Sequence, residues 1–151
     1  MKASELTTIA LKMAEATLQQ VGELQGMVVL HTSDGIFALP YKDGSVSPDI
    51  QRLVVLNLVK GCRAAGKFEG LVMVAEAWMA KVTNEALIGV LRAAQDPDRE
   101  EVVIACAYGQ DGDKQMVTAP IVRADGKVSL GERKIQMAEV ESWLDEAFKE
   151  E

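Results

Sequence analysis

The dipeptide Asp-Gly recurs along this chain, as Asp34-Gly35, Asp43-Gly44, Asp111-Gly112 and Asp125-Gly126. Glycine enters left-handed backbone without steric penalty and aspartate tolerates it, which is what the centre of a tight hairpin turn demands. An Asp-Gly pair between two apolar runs therefore predicts antiparallel strands on both sides of it. The first pair separates a strand at 27–31 from a return strand at 36–39, with 32–35 as the turn and Pro40 as the stop, because proline cannot donate to a ladder. The last two pairs organise a meander with strands at 102–109, 114–123 and from 127 to 130. Pro120, inside the second of these, predicts an edge position or a bulge.

Elsewhere the apolar period is helical. In residues 4–21, Leu6, Ile9, Ala10, Met13 and Val21 recur on one face, with Ser4 as N-cap and Gly22 as stop. The second helix has the strongest start signal of the chain. Ser47 caps it, Pro48 takes the first helical position where an N–H is not needed, and Asp49 sits at the positive end of the helix dipole. Ile50, Leu53, Val54, Val59, Cys62 and Ala65 carry the pattern to Gly66, while Val55, Leu56 and Leu58 widen the apolar sector beyond one stripe. That excess predicts cover on most sides, from the sheet and from a neighbouring subunit.

Residues 68–79 read as a long strand that is mainly apolar on both faces, with Phe68, Gly70, Val72, Val74, Glu76 and Trp78 on one of them. Such a strand belongs at the centre of a covered sheet. Leu87, Ile88, Leu91 and Ala94 predict a helix over 84–94, before a polar linker from Asp96 to Glu101. Met137, Val140, Leu144 and Phe148 predict a last helix over 137–148 with an acidic outer face. The order α-β-β-α-β-(α)-β-β-β-α describes a single α+β domain over 1–151, a mainly antiparallel sheet of five or six strands with helices packed on its faces. The succession helix, hairpin, helix, meander, helix is similar to that of small regulatory domains of the profilin-like and roadblock-like type, over most of the chain. The segment 82–101 departs from it and no motif is shared, so no functional residue carries over.

Charge and motifs work by exclusion. The net charge is −7, and residues 76–151 hold all of it, with nine basic against sixteen acidic side chains, whereas residues 1–75 hold seven of each. A phosphate-binding footprint is missing, so direct nucleic-acid binding is not expected. No run reaches the ~18 apolar residues of a membrane span, and the start lacks a signal-peptide core, which reads as a cytoplasmic, non-membrane protein. Cys62 and Cys106 lie far apart in apolar segments without a CxxC, and His31 is the one histidine, so no cofactor and no metal site is expected. Phosphate-loop, nucleophile-elbow and HExxH patterns are absent.

Four residues stand out as ligand or interface candidates. Glu76 is the one charge between Gly70 and Ala80, and a carboxylate on a central strand takes a salt bridge, caps a helix N-terminus, works as a base, or emerges at the strand's end beside Trp78. Trp78 shares its face and could line a pocket or anchor an interface. Arg99, in the acidic linker, is a possible partner for Glu76. His31 flanks the first turn with Asp34, a pairing that supports base chemistry only beside a nucleophile or a metal. No catalytic residue is assigned. The primary reading is a non-enzymatic interaction or accessory protein, a homodimer or a binder of a protein partner, using the broad apolar second helix. The alternatives are a small enzyme or ligand-binding protein with a pocket around Glu76 and Trp78, and an acidic structural or inhibitory protein that mimics nucleic acid.

Overall fold

The computed structural model describes residues 1–40, 48–79, 100–136 and 143–149. Their order is α1 (Ala3–Val21), β1 (Met27–Thr32), β2 (Gly35–Pro40), α2 (Pro48–Ala64), β3 (Phe68–Met79), β4 (Glu100–Gly109), β5 (Lys114–Ala124), β6 (Lys127–Leu130), β7 (Lys134–Gln136) and a closing 3₁₀ turn (Trp143–Phe148). The strands form one sheet in the order β2-β1-β3-β4-β5-β6, with β7 also on β5, and every pairing is antiparallel. The α+β architecture read from the sequence is therefore observed, with helices flanking the sheet in roughly the expected order. The helix expected over 84–94, Ser47, and the Asp43-Gly44 turn lie outside the described residues.

The Asp-Gly turns act as their chemistry requires. Asp125 (φ 53°) and Gly126 (φ 74°) are both left-handed and join Ala124 to Lys127 as a two-residue hairpin connection. Pro120 resolves into neither a plain edge nor a bulge. Strand β5 pairs with β7 through Met116–Thr118 and with β6 through Ile121–Ala124, so Pro120 sits where the partner changes and no donor is needed on that side. Its carbonyl accepts the Gly131 N–H at 2.8 Å, which turns the chain from β6 into β7. Strand β7 has no forerunner in the sequence reading, because three residues are too few to show alternation.

Strand β3 lies between β1 and β4, the central place its two apolar faces predicted. On one face Val29, Val72, Val74, Val103, Ala105, Ala107, Val117 and Ala119 pack against Ala3, Leu6, Ala10, Leu11, Ala14 and Leu18 of α1. Small residues on α1 let its backbone come close, and Gly70 leaves room for Leu6: a Cβ there would lie 2.6 Å from Leu6 Cδ1. The buried stripe thus differs from the expected one. Ile9 and Val21 point outward, and Leu11 and Leu18 replace them. The N-cap also differs. Helix α1 starts at Ala3, one residue before Ser4, and Lys2 at the cap position gives no side-chain bond. Instead, Asp113, from the turn before β5, accepts the Ala3 N–H at 2.7 Å.

On the other face Val28, Leu30, Leu71, Cys106 and Tyr108 meet Val55 and Val59 of α2 and Leu144 and Ala147 of the closing turn. Phe68 belongs here, opposite to its expected face. The register between β1 and β3 slips between His31 and Thr32, so one extra residue on β3 flips Phe68 across the sheet. The last helix is, in its described part, a short 3₁₀ helix, with Leu144 and Ala147 buried three residues apart.

Candidate functional site

Helix α2 sits between the sheet and solvent, and its flanks differ. Val55 and Val59 face the sheet. Arg52 lies over the Trp143 ring at 5.6 Å and Arg63 over the Phe148 ring at 4.9 Å. Arg63 also donates to the Ala147 carbonyl at 2.8 Å. These two arginines, three helical turns apart, mark the flank on which the closing turn lies. At about 100° per residue, Ile50, Val54, Leu58 and Gly61 fall on the opposite flank, with Leu53 on the outer side between. That flank is open to solvent: Ile50, Leu53, Val54 and Leu58 are 54%, 58%, 51% and 42% exposed. The cover on most sides expected from the sequence is not supplied by this chain's described residues.

The closing turn holds α2 in place by polar and aromatic contacts. The Tyr108 hydroxyl donates to Asp145, and Lys114 pairs with the same carboxylate at 2.9 Å. Phe148 stacks on Tyr108 at 4.4 Å and meets Phe68 edge-on at 5.5 Å. Beneath them Cys106 is fully buried, and burial pushes its thiol above the ordinary range. Cys62, half-buried, contributes to the same core, and both thiols are free.

Among the described residues, β2 is a terminal strand of the sheet. Ile36 and Phe37 are 67% and 51% exposed, and Ala38 is exposed as well. Phe37 pairs with Leu30, so it projects on the α2 side of the sheet.

The four residues singled out from sequence do not come together. Glu76 accepts the Leu24 N–H at 2.5 Å and so fixes the connection between α1 and β1. Its neighbouring cation is Arg123, which grips Glu101 through two bonds of 3.1 and 3.3 Å and donates to the Gly22 carbonyl at the end of α1. Arg99 lies outside the described residues, as does the side chain of Trp78, whose backbone pairs with Glu101. His31 is 7% exposed and lies opposite Gly70. Burial lowers its pKa below the ordinary value, with Glu69 acting the other way. Asp34 is committed to Lys67 at 2.8 Å across the turn. Two open clefts follow α1, one lined by Leu11, Lys12, Glu15 and Arg133 and the other by Ser4, Ile9, Gln115 and Ile135, and neither Glu76 nor His31 lines them.

Among the described residues no three His, Cys, Asp or Glu side chains gather as a metal site, and no helix is long and apolar enough to cross a membrane. No curated protein and no solved structure matches the chain, so the likeness to profilin-like and roadblock-like domains stays one of element order. A family model for the bacteriophage lambda protein ea47 matches residues 53–147, from within α2 to the closing 3₁₀ turn and well over half of the chain, and the chain belongs to that family.

Proposed function

We propose that this protein is a non-enzymatic interaction protein that acts as a homodimer through the open flank of α2. The observation that carries the reading is the row Ile50, Leu53, Val54 and Leu58, four half-exposed aliphatic side chains on one helix. Together they present apolar area on the order of a few hundred Å², the size at which a surface patch marks a binding site. A second copy suits this row because the row is self-complementary. Two antiparallel α2 helices place bulky Ile50 opposite Gly61. They also oppose the two helix dipoles.

Sedimentation of the wild-type chain and of Leu53→Glu over a wide concentration range tests the reading. The expected result is a wild-type dimer and a folded, monomeric Leu53→Glu. A wild-type protein that stays monomeric throughout, or a Leu53→Glu protein that dimerises with unchanged affinity, overturns it.

A further inference from the structure

Resting on that homodimer reading, we infer that the two copies are joined strand to strand through β2, so that one antiparallel sheet runs across the pair. Every second residue of a terminal strand turns its N–H and C=O outward, and folded proteins guard such edges with charges, proline or short length. The far side of this sheet is guarded in that way. Strands β6 and β7 are four and three residues long, and they carry Lys127 and Lys134. Strand β2 is six residues long, has no charged residue, and meets a proline only at its last position. Ile36, Phe37 and Ala38, all apolar, are exposed on it.

Helix α2 turns its open flank to the same side. The closing turn covers Tyr108 of β4 and reaches Lys114 of β5, while α2 lies on the flank of that turn marked by Arg52 and Arg63. The row Ile50, Val54 and Leu58 points away from the turn, towards the end of the sheet at which β2 lies. Phe37 projects on that face. A single two-fold axis perpendicular to the sheet then satisfies both elements. It pairs β2 with β2′ antiparallel, keeps both α2 helices on one face, and sets them antiparallel. Area points the same way. A stable interface takes about 800 Å² from each partner, more than the α2 row offers alone, so a second contacting element is required.

The decisive comparison is sedimentation of wild type, Leu53→Glu and Ala38→Lys, together with oxidative cross-linking of Ala38→Cys in a Cys62→Ser background. Ala38 is exposed and near the middle of β2, so lysine there leaves the protomer folded while placing like charges close to the axis. The expected result is a dimer affinity at least ten-fold weaker for Ala38→Lys, and a disulfide-linked pair for Ala38→Cys, since that bond requires Cα atoms within about 7 Å. If Leu53→Glu dissociates the pair while Ala38→Lys leaves it intact and Ala38→Cys does not cross-link, the strand joint is wrong and the homodimer reading survives. A monomeric wild type removes both. Should Ala38→Lys fail to fold, the cross-link alone decides.

Discussion

Replacing Leu144 by alanine asks whether a six-residue 3₁₀ turn is a working part of a hydrophobic core. Leu144 is fully buried among Val55, Val59, Leu71 and Tyr108 in the α2-side core. Truncating a buried leucine loses its transfer free energy and leaves a cavity, at a cost of about 2.7–5 kcal/mol depending on how far the surroundings collapse. Collapse is restricted here. The backbone of the turn is pinned by Arg63 at Ala147, and Asp145 is held by both Tyr108 and Lys114. The upper half of that range is therefore expected. In a chain of this size each kcal/mol moves Tm by roughly 2–4 °C, so Leu144→Ala should melt roughly 8–20 °C below wild type. The assay is thermal unfolding by far-UV circular dichroism at one fixed protein concentration, with exposed Gln19→Ala on α1 as control. A Leu144→Ala shift no larger than that control would refute the reasoning, because a turn that is not docked has no cavity to leave.

Three further outcomes follow from the packing and the charges. Gly70→Ala should cost about 1–3 kcal/mol, since its Cβ would press on the fully buried Leu6, and an unchanged melting temperature would contradict the close approach of α1. Glu76→Ala should cost about 1–3 kcal/mol by stripping the Leu24 N–H of its acceptor, and Glu76→Gln should recover much of it; equal losses in the two variants would rule out that hydrogen bond as the cause. Burial holds the His31 pKa below 6.5, so the unfolded chain takes up the proton first as pH falls. The stability that depends on neutral His31 is complete above about pH 6.5 and drains away as pH drops from there through the folded value. A titration of this single histidine by NMR with a midpoint at or above 6.5 would contradict the buried placement.

What could be read from the sequence was local. Asp125-Gly126 specifies its own turn, and Asp49 with Pro48 specifies the start of α2, because the physics involved spans four residues. Errors arose where a distant group decides. Ser4 has the chemistry of a cap, yet the cap of α1 comes from Asp113. Glu76 was visible as an odd carboxylate, but Leu24, its donor, lies 52 residues away, and nothing in the spacing pointed to Arg123. Phe68 changed faces because one extra residue inverts every side chain beyond it, and strand alternation alone does not reveal where such a residue falls. The apolar excess on α2 was legible, but its meaning depends on what the chain places over it. The edge exposure of β2 depends on strand order, which no local pattern encodes.

A sheet with two open edges can add neighbours at both ends and grow into a fibre. In this protein the β5 side is closed by two short strands offset at Pro120, so the edge beyond β5 is broken into pieces of four and three residues. The two-fold joint proposed at β2 would consume the open edge of both copies at once, and assembly would then stop at two. In that proposed pair the proline at the partner switch would help to set the number. Were β6 and β7 fused into one straight strand along β5, the same chain would carry a second adhesive end, and a self-limiting pair would become the repeat unit of a filament.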